Sequence, residues 1–182
     1  KDIAIARLEK EFEAIFVGIG LAKTKLLGIT GENLPGSMAA LSFIEYIKNH
    51  QVLQLPLSRK TIVIGGGNTS IDAVTQSKRI GVAEVILAYR RSEGEMSAYN
   101  FEMALAKSDG VQFLWHVKPK RILGKLQVEG IEFLRLKSSG NKLLEIPHSE
   151  FVINCDRVIW AVGQEKHSSF IHQLKLKQEE DG

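Results

Sequence analysis

The chain has 182 residues, of which 44% are hydrophobic and 25% are charged, and its net charge is +3 at pH 7. This balance is typical of a globular protein and excludes a disordered or fibrous chain, while the scattered positive charge argues against a nucleic-acid-binding surface. The single cysteine, Cys155, excludes a disulfide scaffold, a Cys-x-x-Cys redox pair and a cysteine-ligated metal centre within these residues. No apolar run is long enough to cross a membrane and the first residues carry no signal-peptide pattern, so we expect a cytoplasmic protein without membrane attachment.

The N-terminal part of the chain predicts two helices separated by a strand and a linker. Residues 3–12 predict a short helix, and Ala14–Val17 predict a buried strand that meets a glycine turn. Residues 28–36 contain three glycines and one proline, which is typical of a loop or an interdomain linker. Ser37 is the predicted N-cap of the second helix. Apolar residues recur in that helix at helical spacing, at Ala40, Phe43, Ile44 and Ile47.

The central part predicts a strand–turn–helix–strand unit. Lys60–Ile64 form a β-branched run that leads directly into three glycines, and residues 69–80 have the apolar spacing of a helix. Glu84–Tyr89 form a second apolar strand, so the unit has the length and order of a βαβ motif. A further helix over 101–107 and a strand over 111–115 follow.

The C-terminal part changes rhythm. Four short apolar runs are interrupted by glycine, serine and proline, which predicts an antiparallel meander; the runs are Arg121–Leu123, Val128–Leu136, Leu143–Ile146 and Phe151–Ile153. Val158–Val162 form a last buried strand that ends at Gly163. The predicted fold is therefore α/β, with a Rossmann-like parallel sheet and an antiparallel meander.

The strongest local motif is Gly65-Gly66-Gly67-Asn68-Thr69-Ser70, directly after a strand and before a helix. It matches G-x-G-x-x-[small], in which the first glycine turns the chain and the second lets the backbone approach a pyrophosphate. The small sixth residue, here Ser70, allows the helix to pack on the strand, and the N-terminus of the helix offers free N–H groups to the anion. These six residues are the predicted dinucleotide-binding loop.

The end of the second strand bears on the choice of nucleotide. Proteins that bind NAD usually have an acidic residue about twenty positions after the motif, whereas this strand ends in Arg90-Arg91. Guanidinium groups match the oxygens of a 2′-phosphate, so the pair favours NADP(H). The alternative reading is a solvated arginine pair, with Glu93 serving a ribose.

Other polar residues give weaker signals. The five histidines have no metal-binding spacing, so no metal site is predicted. Glu102 is interpreted as a solvated charge on a helix, and Cys155 as an inert thiol.

Taken together, AIFVGIG, a GENLPG linker, TIVIGGGNTSID, VILAYRRSEGEMSAYNFE and DRVIWAVGQ resemble the flavoproteins that contain two dinucleotide-binding domains. The chain is similar to the small subunit of glutamate synthase and to the NAD(P)H-oxidising part of dihydropyrimidine dehydrogenase, over roughly residues 12–170. Ser97 departs from the family pattern, which commonly has proline after this methionine.

The resemblance implies an NAD(P)H-binding domain inserted within an FAD-binding domain. Residues 1–36 would be a stub of the FAD-binding domain with a linker, residues 37–157 the nucleotide-binding domain, and residues 158–182 the return strand and a second stub. The family's FAD fingerprint and its C-terminal Gly-Asp segment are not among these residues. We therefore expect an excised domain that does not hold FAD by itself.

The resemblance also implies roles for individual residues. Gly65, Gly67, Asn68 and Thr69 would hold the pyrophosphate, Arg90 and Arg91 the 2′-phosphate, and Gly163 would lie near the contact of nicotinamide and flavin. NADPH would pass a hydride to FAD, whose electrons would go on to iron–sulfur centres. The implied partners are the FAD-binding remainder of the same polypeptide and an iron–sulfur or large catalytic subunit. Hydride transfer needs orientation and proximity more than acid–base groups, so no catalytic side chain is predicted.

Two alternatives stay open at this point. One is a domain that binds or senses NADP(H) without catalysis. The other is a flavoenzyme related to thioredoxin reductase, which the lack of Cys-x-x-Cys disfavours. The residues do not identify the final electron acceptor or the oligomeric state.

Overall fold

The computed structural model describes residues 3–21, 23–49, 58–140 and 142–174. The chain divides into two compact units. One runs from Thr24 to Gly163, and the other combines the residues up to Lys23 with those from Gln164 onward. The predicted site belongs to the first unit.

The described residues form five α-helices, one 3-10 helix over Glu93–Glu95 and nine strands. The helices are α1 (Ile5–Glu11), α2 (Ala40–Lys48), α3 (Asn68–Arg79), α4 (Asn100–Ser108) and α5 (Ser168–Gln173). The strands are β1 (Ser37–Ala39), β2 (Lys60–Gly65), β3 (Glu84–Ala88), β4 (Gln112–Leu114), β5 (Val117–Leu123), β6 (Gly130–Ser139), β7 (Lys142–Glu145), β8 (Phe151–Asn154) and β9 (Arg157–Ala161). None of these helices is long and apolar enough to cross a bilayer.

The larger unit contains a five-stranded parallel sheet in the order β1-β9-β2-β3-β4. The strands β2 and β9 lie inside the sheet and are apolar on both faces, as strands of a covered parallel sheet are. The chain runs from β2 to β3 to β4 in one direction and later returns to the other side of β2 as β9. The direction of winding therefore reverses between β2 and β9.

One face of the parallel sheet is covered by helices α2, α3 and α4. Phe43, Ile71 and Met103 from these helices belong to one buried cluster with strand residues such as Val63 and Leu87. The opposite face belongs to a second apolar cluster. It combines strand residues of the parallel sheet with residues of the antiparallel strands, among them Ile62, Ile64, Val117, Ile131 and Phe133. The parallel sheet is thus the middle of three layers.

The antiparallel layer is organised around β6. Strand β5 pairs with it over Gly130–Arg135, β8 pairs with its first half, and β7 pairs with its second half. The predicted antiparallel strands are present. Both β7 and β8 pair with β6, so the arrangement differs from a simple meander in which each strand pairs with its neighbour in the chain.

The structure corrects two local predictions. Ala14–Val17 do not form a strand, and the side chain of Phe16 is 96% exposed. A strand needs a neighbour for its backbone hydrogen bonds, and no described strand pairs with this segment. Ser37 is not the N-cap of α2, because Ser37–Ala39 pair with Val158–Trp160 as strand β1 and the helix begins at Ala40.

The predicted division into residues 1–36, 37–157 and 158–182 stays a prediction. The compact unit of residues 24–163 extends beyond the predicted nucleotide-binding part at both ends. It includes β9, which lies between β1 and β2. Residues 175–182 lie outside the described part of the chain.

Candidate dinucleotide-binding site

Three strands of the parallel sheet end side by side. Ile64 in β2 pairs with Ala88 in β3, and Gly65 pairs with Ala161 in β9. The glycine loop, the arginine pair and Gly163 follow these strand ends, so all of them lie at one edge of the sheet. In open α/β sheets, ligands bind at this edge, at the point where the winding direction reverses. Here that point lies between β2 and β9.

The first glycine of the loop is required by close packing. A Cβ atom at Gly65 would lie 2.7 Å from the Ala161 carbonyl oxygen and 2.9 Å from the Ser70 Cβ. Ser70 itself is fully buried, and its hydroxyl donates a hydrogen bond of 2.6 Å to the Gly67 carbonyl oxygen. The small sixth residue thus lets α3 approach the sheet, as the motif predicts, and its hydroxyl also shapes the loop.

The other two glycines have opposite surroundings. A Cβ atom at Gly66 would overlap the ring of Tyr89. A Cβ atom at Gly67 would meet only the Ser97 hydroxyl, at 3.6 Å. Gly67 therefore borders open space, whereas Gly66 is enclosed.

The N-terminus of α3 faces this open space with unbonded donors. Gly67 is the N-cap, and its carbonyl oxygen accepts the N–H groups of Ser70 and Ile71 at 2.9 and 3.3 Å. The N–H groups of Gly67, Asn68 and Thr69 donate none of the hydrogen bonds in the described structure. A glycine without a side chain beside free N–H groups at a helix N-terminus suits a phosphate group.

The segment after β3 is fastened to the glycine loop. Ser97 donates two hydrogen bonds to the Gly66 carbonyl oxygen, from its N–H at 3.1 Å and from its hydroxyl at 3.2 Å. The Tyr99 N–H donates to the Asn68 carboxamide oxygen at 3.0 Å. The Asn68 side chain therefore holds this segment in place as well as lying beside the predicted phosphate site.

The two arginines of the predicted 2′-phosphate site have different surroundings. Arg90 is exposed and forms no ion pair or hydrogen bond through its side chain with the described residues. Arg91 donates from Nη1 to Glu95 Oε1 at 2.7 Å. The hydroxyl of Ser92, then Arg91, lower the pKa of Glu95 to about 2, so the carboxylate is charged at neutral pH.

Glu93, the alternative ribose ligand, pairs with Lys107 Nζ at 2.5 Å. Gly163 has a φ of +102° and its carbonyl oxygen accepts the Lys25 N–H at 2.9 Å.

Glu102 differs from the expected solvated charge, because its Oε2 atom is buried without a hydrogen-bond partner. Burial raises the pKa of the Cys155 thiol to about 12, which agrees with an inert thiol.

Comparison with known proteins identifies the family. The profile of the pyridine nucleotide-disulphide oxidoreductases matches residues 6–182. The chain belongs to this family. The predicted resemblance and the α/β fold with parallel and antiparallel sheets are thereby confirmed.

The relatives are longer proteins. The chain is 37% identical over 180 residues to the NADPH-Fe(3+) oxidoreductase subunit beta of Geobacter sulfurreducens, a match that covers 94% of this chain and 27% of the relative. It is 33% identical to the glutamate synthase [NADPH] small chain of Halomonas elongata, over 90% of this chain and 38% of the relative. The chain thus spans well under half the length of these curated relatives.

Solved structures with low sequence identity to this chain have the same fold. FprA from Mycobacterium tuberculosis, in complex with NADPH, has a TM-score of 0.70 at 19% identity, covering 89% of this chain and 52% of that one. Thioredoxin reductase from T. acidophilum has a TM-score of 0.65 at 20% identity, covering 87% and 47%.

In this chain the predicted site residues lie at one edge of the sheet and differ in accessibility. The loop of residues 65–70 and Arg90 are brought together there, while Ser70 is buried and Arg91 is paired. Sequence reasoning missed the contacts of Ser97 and Tyr89 with the loop. The Met-Ser-Ala-Tyr segment carries no local signal for these contacts, because its own residues do not indicate which backbone it meets.

Proposed function

We propose that the chain binds NADPH, with the pyrophosphate at the N-terminus of α3 and the 2′-phosphate at the arginine pair after β3. The observation that carries the proposal is the open space at Gly67, where unbonded N–H groups of α3 adjoin the strand end that bears Arg90. A pyrophosphate fits there because it needs both hydrogen-bond donors and space close to the backbone. The relatives named for NADPH support the same cofactor.

The proposed role in the whole protein is electron transfer. These residues would hold NADPH so that its hydride could pass to FAD in the remainder of the polypeptide. Iron–sulfur centres or a larger catalytic subunit would then take the electrons onward, in the cytoplasm. The residues of this chain bind and orient the dinucleotide. Gly163, at the end of β9, is proposed to lie near the nicotinamide because β9 borders the glycine loop on the side away from Arg90.

Calorimetric titration with NADP⁺ and NAD⁺ tests the binding proposal. We expect tighter binding of NADP⁺, and a loss of at least about tenfold in Arg90→Ala, since a charge-assisted contact contributes about 1.5 kcal/mol or more. NAD⁺ affinity should stay unchanged. Arg79→Ala is the matched control, because Arg79 is an exposed arginine at the far end of α3. Equal affinity for both nucleotides in the unmodified chain would contradict the proposal.

A further inference from the structure

Arg91 is engaged by Glu95 in the structure. Its Nη1 lies 2.7 Å from Glu95 Oε1, and both side chains are little more than one-third exposed, at 35% and 39%. Arg90, the neighbouring cation, has no such partner among the described residues. The two arginines at the end of β3 are therefore not equivalent.

The position of Glu95 does not depend on Arg91. The second carboxylate oxygen of Glu95 accepts the Ser92 hydroxyl at 2.6 Å and the Ser92 N–H at 3.1 Å. The Glu95 carbonyl oxygen accepts the Tyr89 hydroxyl at 3.0 Å. Since Tyr89 also packs on Gly66, the negative charge is held at a defined place beside the proposed site.

This placement has an electrostatic consequence. A phosphate that approaches Arg91 also approaches the carboxylate paired with it, and the repulsion offsets much of the attraction. Arg91 and Glu95 thus act on a nearby anion almost as a neutral unit. A ribose with a free 2′-hydroxyl carries no charge, so this repulsion does not act on it.

We infer that Glu95 is a specificity-determining residue that lowers the affinity of the site for NADP(H), because it holds Arg91 in an ion pair and leaves Arg90 as the cation that reads the 2′-phosphate. This inference rests on the proposed function. Its consequence is weaker retention of NADP⁺, which must leave before the next NADPH binds.

The test compares Kd for NADP⁺ and NAD⁺, at low and high salt, among the unmodified chain, a Glu95→Gln variant and a double variant. Glu95→Gln keeps an amide oxygen that accepts the Ser92 donors and removes the charge. We expect it to tighten NADP⁺ binding about three- to tenfold at low salt and to leave NAD⁺ unchanged. High salt should shrink the gain. The double variant Arg91→Gln with Glu95→Gln removes both charges and should match the unmodified chain within about twofold, as expected for a neutral unit.

An unchanged or weaker NADP⁺ affinity in Glu95→Gln would overturn the inference, because Glu95 would then only anchor Arg91 for direct contact. If Glu95→Gln does not fold, the double variant decides alone, and a loss of NADP⁺ affinity of more than about twofold overturns the inference. The Arg90→Ala variant distinguishes a failure of this inference from a failure of the proposed function. If it loses NADP⁺ affinity while Glu95→Gln gains none, only this inference fails. If the unmodified chain does not prefer NADP⁺ and Arg90→Ala has no effect, the proposed function fails and the inference with it.

Discussion

The ring of Tyr89 lies where a side chain at Gly66 would have to be placed. Tyr89 is the first residue after β3, and Gly66 is the first after β2, so this contact joins the two loops at the edge of the sheet. The Tyr89 hydroxyl then reaches the Glu95 carbonyl oxygen. The glycine loop and the segment that bears the arginines are therefore packed together.

This contact predicts that Gly66→Ala destabilises the fold. The added methyl group must displace an aromatic ring packed against the helix layer, which costs about 1–3 kcal/mol in the free energy of unfolding. Urea denaturation followed by circular dichroism measures the change. Gly67→Ala is the matched control, since a Cβ there meets only one atom at 3.6 Å. Alanine is a weaker N-cap than glycine, so a loss below about 1 kcal/mol is expected. Equal losses at both glycines would contradict the account.

Gly67→Val should remove nucleotide binding without unfolding the chain. The backbone at Gly67 has φ −106° and ψ 177°, which valine adopts readily, and its side chain would project into the space proposed for the pyrophosphate. We expect calorimetry to show loss of both NADP⁺ and NAD⁺ binding, because both contain the pyrophosphate. Ala83→Val is the control, because Ala83 is exposed and precedes β3 at the opposite edge of the sheet. Unchanged affinity in folded Gly67→Val would place the pyrophosphate elsewhere.

The preference for NADP⁺ should depend on salt. The contact with Arg90 is an attraction between exposed charges, which is screened over about 10 Å at 0.1 M salt and over about 3 Å at 1 M. Titrations at both salt concentrations should show the NADP⁺ affinity falling towards that of NAD⁺. An affinity ratio that does not respond to salt would indicate that the nucleotides are distinguished without charge.

Asp156 should make the fold sensitive to acid. Burial raises its pKa, but hydrogen bonds from the Ser58 hydroxyl and from the N–H groups of Arg59 and Lys60 outweigh that effect and lower it overall. A carboxyl group with a lowered pKa in the folded state stabilises the fold above its unfolded pKa, near 4, and this stabilisation is lost as the pH falls through the folded pKa.

Urea denaturation at a series of pH values from about 6 down to below about 4 tests this, because the stabilisation begins to be lost once the pH falls below the unfolded pKa of the carboxyl group. The free energy of unfolding should fall with pH, and Asp156→Asn should show a smaller fall because it has no proton to bind. Asp72→Asn is the control, since the Asp72 carboxylate is exposed and accepts no hydrogen bond within the described structure. An equal pH dependence in Asp156→Asn and the unmodified chain would show that other groups control acid unfolding.

The unit from β2 to β3 was predictable from the sequence, together with the glycine loop. Its signals are local, because β-branched runs, three consecutive glycines and helical spacing of apolar residues each act within a few positions of the chain. Residues 65–70 fold as the motif predicts, with Gly65 at the close approach and Ser70 packed beneath it.

Only the tertiary structure decided what each strand and charge pairs with. Ser37–Ala39 became a strand because β9 lies beside it, and Ala14–Val17 did not, because no described strand lies next to it. Likewise, Arg90 and Arg91 are identical neighbours in the sequence, and the turn that carries Glu95 makes them different. Strand pairing and side-chain ion pairs join residues by position in space, so their outcome depends on the whole fold, whereas the glycine loop depends on the conformations open to its own few residues.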